Sequence, residues 1–218
     1  MGGRAEVSRD VDVLRASEPD TLRILVLGPL VVEHDNAKIH VAGSHRRRLL
    51  AFLLTRSGQV AGADAIAEAL WGDDLPSTAI KSIHNHVARL RGSFASVDRD
   101  LIETTPGGYR LVVDPETIDA VVFERLAGEG RQRLACGDAA GAVSVLDDAL
   151  ALWRGDAYGE FGDAGFAVGE VARLTELKWA AMEDFAEARL EGGSFEVVTA
   201  DVERVVVEQP GRERAWGC

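Results

Sequence analysis

Cysteine is nearly missing from this 218-residue chain: there are two, Cys136 and Cys218. They form no metal-ligand spacing and no disulfide framework, so a reducing cytoplasm is the expected setting. Long apolar runs are missing as well. Nothing approaches the length of a membrane span, and the opening MGGRAEVSRDVDVLRASEPD carries no signal-peptide core. A membrane partner is therefore not expected. The sequence also lacks a Gly-x4-Gly-Lys-Ser/Thr phosphate loop and a nucleophile elbow. Its lone GxG, Gly128-Glu129-Gly130, falls inside a helical run and reads as structural. No catalytic set converges, so neither an enzyme nor a cofactor is expected.

What is present is a strongly uneven charge. The net of −12 argues against nucleic acid as a partner if taken whole. Residues 1–21 hold 3 basic and 5 acidic residues (−2), residues 22–113 hold 11 and 9 (+2), and residues 114–218 hold 10 and 22 (−12). A shift of this size marks a domain boundary near 114. Residues 1–21 lack apolar periodicity and read as a disordered tail.

From 22 to 113 the elements alternate in character. LRILVLGPLVVEH (22–34), broken at Gly28-Pro29, gives two short strands, and IHV (39–41) a third. Ser44 is placed to cap a helix in which Leu49, Leu50, Leu53 and Leu54 fall at helical spacing, ended by Gly58. ADAIAEALWG (63–72) is a second helix closed by Gly72, and after the turn DDLP a third runs from about Ser77 to Phe94. LIETTPGGYRLVV (101–113) then reads as a hairpin around Pro106-Gly107-Gly108. Strands, three helices and a terminal hairpin make a winged helix-turn-helix.

The third helix decides the function. On a helical wheel Ile80, Ile83, Val87, Leu90 and Phe94 share one face, while Thr78, Lys81, Ser82, Asn85 and Arg89 share the other. No aspartate or glutamate occurs on it. A solvated helix face normally mixes both signs. This one carries the donors that pair with guanine and adenine edges in a major groove.

The same helix contains His84-Asn85-His86, letters that also spell a nuclease signature. Residues two apart on a helix point about 200° from one another, so the two imidazoles do not share one ion. His34, His40 and His45 form no i, i+4 pair. No metal is expected.

Residues 114–218 read as all-helical. Phe123, Leu126 and Leu134 belong to a first helix ended by Gly137. Ala142, Val145, Leu146, Ala149 and Trp153 line a second, ended by Arg154-Gly155. A third covers about 167 to 191 and a fourth about 194 to 208, before Pro210. RLACGD (133–138) echoes RLEGGS (189–194), each at a helical turn, a pattern of tandem hairpins that suggests a tetratricopeptide-like stack. Such a stack offers a surface for self-association or a partner protein. Its acidic skin also keeps it off DNA.

Taken in order, LGPLVVEHDNAKIHV, RRLLAFLLTRSGQ, ALWGDDLP, HVARLRGSF and ETTPGGYRL resemble the antibiotic regulatory proteins of actinobacteria, transcriptional activators with an OmpR-like winged helix. DAVVFERLAGEGRQRLACGDAAGAVSVLDDALALWRGDAY, LTELKWAAMEDFAEARLEGG and EQPGRERAW resemble that family's bacterial transcriptional activator domain. The resemblance covers about residues 22 to 216. It implies an OmpR-like winged helix over 22–113 followed by an all-α, tetratricopeptide-like activator domain over 114–218. It further implies a sequence-specific activator of a secondary-metabolite gene cluster that binds direct repeats of double-stranded DNA and recruits RNA polymerase holoenzyme at the nucleoid.

Residue by residue, the resemblance makes Lys81, Ser82, Asn85 and Arg89 base readers, and Tyr109 and Arg110 wing contacts. Arg47, Thr78, His84 and Arg91 join the wing pair on the DNA backbone, and Asp73 and Asp74 face the polymerase. The family pattern runs on through further helices past the RER segment, so the chain reads as a truncated activator domain, either a piece of a longer regulator or a short member. A receiver domain ahead of the winged helix is not expected within the chain, nor is control by aspartyl phosphorylation. The alternative reading is a protein-interaction module whose winged helix is a docking surface, distinguished by a lack of salt-dependent DNA binding.

Overall fold

Leu22, Ile24, Val26 and Leu27, the apolar residues that open the described chain, are all buried. Leu22 and Ile24 lie in the first strand of a three-stranded antiparallel sheet ordered β1 (Leu22–Leu25), β2 (Val31–His34) and β3 (Ala37–Ile39), and Val26 and Leu27 follow it directly. The computed structural model describes residues 22–97 and 100–192. The expected tail over 1–21 and the expected helix over 194–208 lie outside the described residues. Helices α1 (Ser44–Thr55), α2 (Ala63–Trp71) and α3 (Ala79–Ser93) follow, then the hairpin β4 (Ile102–Thr105) and β5 (Gly108–Leu111). This is the winged helix-turn-helix that the element order predicts.

Three local expectations need correction. The third strand is Ala37–Ile39 rather than IHV (39–41). Ser44 does not cap α1. The chain enters through Gly43 at φ 89°, and its carbonyl receives the amides of Arg46 and Arg47, so Ser44 is already inside the helix. Ile80 is not core: it is 51% exposed, because the buried stripe of α3 runs through Ala79, Ile83, Val87 and Leu90, with Ala79 rather than Ile80 in its first turn.

The wing is held by backbone pairing beyond its own two strands. Ala61, just ahead of α2, exchanges both amide bonds with Tyr109, at 2.7 and 3.0 Å. That approach requires glycine next door. A β-carbon on Gly108, which sits at φ +139°, would lie 2.0 Å from the Ala61 carbonyl oxygen.

A short 3-10 turn (Pro115–Thr117) leads into α4 (Asp119–Ala135), α5 (Ala139–Ala151) and α6 (Val168–Glu191). Asp138 caps α5 by accepting from the Gly141 amide at 3.0 Å. The helical GxG is structural, as its sequence context implies. A β-carbon on Gly130 would come within 2.4 Å of Leu146, so glycine sets how closely α4 and α5 pack. Phe123 meets Trp153 edge-on at 5.4 Å, and Lys178 lies over the Trp153 ring at 4.6 Å.

The two halves share one continuous apolar core, running from Leu22 through Phe123 to Ala188. Polar contacts lock the seam. Ile24 forms a parallel bridge with Ile118, and the amides of Arg154 and Tyr158 donate to the carbonyls of Leu27 and Val26. Asp119, only 5% exposed, accepts from the amides of Val26 (2.7 Å) and Leu27 (3.1 Å) and faces Arg154 at 3.4 Å. Burial raises its pKa above the ordinary aspartate value, against the opposing pull of those donors.

Candidate nucleic-acid interface

Helix α3 is amphipathic as its sequence requires. Ile83, Val87 and Leu90 face the core, and Lys81, His84, Asn85 and Arg89 are exposed on the opposite side, with Ser82 half-buried beside them. Periodicity alone produces this arrangement, since residues three and four apart share a face. The exposed face is a row of donors with no carboxylate on its own helix. Thr78 stands at the N-cap of α3 and makes no side-chain cap bond.

The two histidines of the His-Asn-His triplet turn to different neighbours. His84 meets Tyr109 of the wing at 6.4 Å between ring centres. His86 stacks on His45 of α1 at 5.4 Å and 11°, and both rings stand near Trp71 at the end of α2. His86 Nδ1 is buried without a hydrogen-bond partner. Burial first, then the nearby His45, Arg46 and Arg89, hold its pKa below the ordinary histidine value. Its ring joins α3 to α1 and α2 by stacking.

The wing lies alongside α3, and Arg91 is the brace. Its guanidinium donates to the Ile102 carbonyl at 2.6 and 3.0 Å and to Thr104 Oγ1 at 2.8 Å. Arg110, across from Glu103 on the wing, is paired with that carboxylate at 2.6 Å. Arg47 is also occupied. It donates to the Leu30 carbonyl at 2.9 Å and to Glu160 of the helical half.

The structure thus brings Lys81, Ser82, Asn85 and Arg89 together on one helix with His84 and Tyr109 beside them. It gives Arg47 and Arg91 intramolecular partners that nothing in their local sequence signals. Asp73 and Asp74 are exposed in the turn between α2 and α3, ahead of the exposed donors of α3 in sequence and followed by the exposed Leu75. Sequence reasoning missed His45, Glu160 and Asp119. Each acts through a partner on a distant segment, and only the run of basic residues after His45 draws attention to that stretch.

Among the described residues no group of three or more histidine, cysteine, aspartate or glutamate side chains is placed to hold a metal ion. No described helix is long and apolar enough to cross a membrane.

Comparison with known proteins agrees with this geometry. Residues 39–111 match the family model described as "Transcriptional regulatory protein, C terminal", and residues 118–218 match "Bacterial transcriptional activator domain". The chain is similar to Regulatory protein DnrI of Streptomyces peucetius, 30% identical over 204 residues that span 89% of this chain and 75% of that protein. It is similar to Transcriptional regulatory protein MoaR1 of Mycobacterium tuberculosis, 32% identical over 208 residues, spanning 94% and 67%. Among solved structures it superposes on Mycobacterium tuberculosis EmbR in complex with low affinity phosphopeptide. The TM-score is 0.85 at 31% identity, covering 90% of this chain and 53% of that one.

Proposed function

We propose, from the premise that this chain belongs to the actinobacterial antibiotic regulatory protein family and is a DNA-binding transcriptional regulator, that it activates a secondary-metabolite gene cluster by reading direct repeats. The observation that carries this reading is the exposed, carboxylate-free face of α3. Asn85 supplies the amide that pairs with adenine, and Arg89 and Lys81 supply the donors that pair with guanine. Ser82, half-buried at the edge of this face, gives a short hydroxyl contact. Thr78, His84, Arg91, Tyr109 and Arg110 border it from the N-cap, the wing side and the wing, where phosphates would run.

Arg47 reaches phosphate in this reading by exchanging Glu160 for it. Asp73 and Asp74, with the exposed Leu75, offer RNA polymerase an acidic and apolar turn. The helical half provides the surface for self-association on tandem sites, and the regulator works in the cytoplasm at the nucleoid.

The test is a selection of bound sequences from random duplexes, run with the wild-type chain and with Asn85→Ala and Arg89→Ala. A site should emerge for the wild type, and each variant should lose about 1–3 kcal/mol of discrimination at one position while binding random DNA as before. Equal losses on selected and random duplexes would remove these residues from the reading role. Binding without salt dependence would favour a protein-docking module instead.

A further inference from the structure

A cavity of about 150 Å³ lies in the seam between the two halves. Its apolar wall is Leu53 and Leu54 from α1, Leu111 and Val113 from the wing exit, and Ile118 and Val121 at the start of the helical half. A cavity of this size lined by aliphatic side chains accommodates one benzene-sized group. Domain seams are also where small-molecule sites preferentially occur.

The rim is charged and unbalanced. Arg173 Nη2 donates to Glu124 Oε1 at 2.6 Å and to Glu170 Oε1 at 2.7 Å, and its Nε donates to Glu170 Oε2 at 2.9 Å. Glu170 is therefore held at both oxygens, whereas these contacts engage Glu124 at Oε1 alone. Two carboxylates around one guanidinium leave a net charge of −1 at the opening. The buried Tyr158 ring lines the same cavity. Its phenol is pushed well above the ordinary range, first by burial and then by the negative charge of Glu170, Asp119 and Glu124, which Arg173 only partly offsets. The field at the cavity is thus negative.

We infer that this seam cavity is a ligand site for a small amine, its aryl or alkyl body between α1 and α4 and its ammonium on Glu124. A carboxylate ligand of the same size meets the excess negative charge and is rejected. A neutral alcohol of the same body keeps the apolar contacts and forfeits the charge-assisted hydrogen bond. The inference stands apart from the DNA-reading proposal, since no DNA contact enters it.

The experiment follows backbone amide shifts of the isotope-labelled full chain during separate titrations with benzylamine, benzyl alcohol and benzoate at neutral pH. Benzylamine should give saturable shifts at Leu54, Leu111 and Val121, with an affinity about tenfold above benzyl alcohol, and benzoate should give none there. Glu124→Gln should lower benzylamine affinity about tenfold and leave benzyl alcohol unchanged. Val121→Phe, which fills the cavity, should abolish both. Should Val121→Phe fail to fold, the rim variant still decides, because Glu124 is partly exposed and outside the core. The inference is overturned by benzylamine shifts that do not saturate, by tighter binding of benzoate, or by a Glu124→Gln chain that binds benzylamine as the wild type does.

Discussion

Arg47 and Glu160 are 113 positions apart, yet the guanidinium Nε of one lies 2.9 Å from the carboxylate of the other. The pair ties the first helix of the winged helix to the loop that precedes α6. It is partly exposed on both sides, so its direct contribution to stability is small, about 0–1 kcal/mol. Its larger effect is on availability. A guanidinium held by a carboxylate offers phosphate less charge than a free one. The helical half thereby sets how much of the Arg47 charge is left available on α1.

The first prediction follows from that competition. Glu160→Gln removes the carboxylate and keeps the side chain's shape. Affinity for random duplexes should rise, and the slope of log K against log salt should steepen by about 0.9, the value of one added phosphate contact. An unchanged slope, measured by fluorescence anisotropy over a salt series, would make Arg47 a seam brace and nothing more.

Asp119 gives the second. Its carboxylate serves two amide donors at once. In Asp119→Asn the amide nitrogen must face one of those N–H groups, and the chain should lose about 1–3 kcal/mol in urea denaturation. The pH dependence has a definite sign. Because the folded pKa is raised, the native state holds more proton at this site than the unfolded chain. This group's contribution to stability is therefore complete below the unfolded value of 3.8, and it declines as pH rises through the raised folded pKa. Asp119→Asn should abolish that decline. A variant with the same pH profile as the wild type would place the titration elsewhere.

The brace between α3 and the wing supplies the third. Arg91→Ala frees the Ile102 carbonyl and Thr104, and it should lower stability by about 1–3 kcal/mol. DNA affinity should fall by a similar factor on selected and random sequences, since what is lost is the position of the wing. Arg91→Lys should restore little, because an ammonium cannot reproduce the planar fork that meets two acceptors together. Full rescue by lysine in denaturation and binding assays would show that charge alone matters there.

These residues also show what a sequence discloses. The faces of α3 were legible because helical period is a local property: Ile83, Val87 and Leu90 are buried, and Lys81, Asn85 and Arg89 are exposed, as the wheel requires. The same wheel misplaces Ile80, since apolar character marks the stripe only approximately and the small Ala79, not Ile80, takes the buried position in the first turn. Ser44 has the right chemistry for a cap, but the left-handed turn at Gly43 starts the helix one residue earlier. Arg47 was legible as a basic residue opening a helix. Its pairing with Glu160 was not, because nothing periodic connects positions 113 apart. Asp119 looks like an ordinary N-terminal helix aspartate until Val26 and Leu27 are seen to donate to it.

A fourth prediction concerns tandem docking. Two winged helices on direct repeats should sit about one helical turn, roughly 10 to 11 base pairs, apart. Inserting half a turn between the repeats puts the second copy on the opposite face of the duplex, and cooperativity should vanish while each single site is still bound. Footprints with undiminished cooperativity after the insertion would rule out contact between neighbouring copies.

The last prediction addresses activation. Asp73 and Asp74 are exposed in the turn after Gly72, and Leu75, next in the chain, is 57% exposed. Leu75 therefore stands open between the two carboxylates and α3. Paired carboxylates facing a basic partner steer encounter and fix register more than they add affinity. The competing explanation is that acidic residues near a helix N-terminus are favourable to its dipole. Under that explanation, reversing the charges should weaken the fold by about 0.3–1 kcal/mol and spare activation by the molecules that remain folded. Under the polymerase explanation, Asp73→Lys with Asp74→Lys should abolish activated transcription in vitro at saturating regulator. DNA affinity should hold or rise slightly, because two negative charges are replaced by two positive ones. Leu75→Ala should give a partial loss by the same assay without any change in footprint. Normal activation by the double reversal would move the search for the polymerase contact to the acidic helical half.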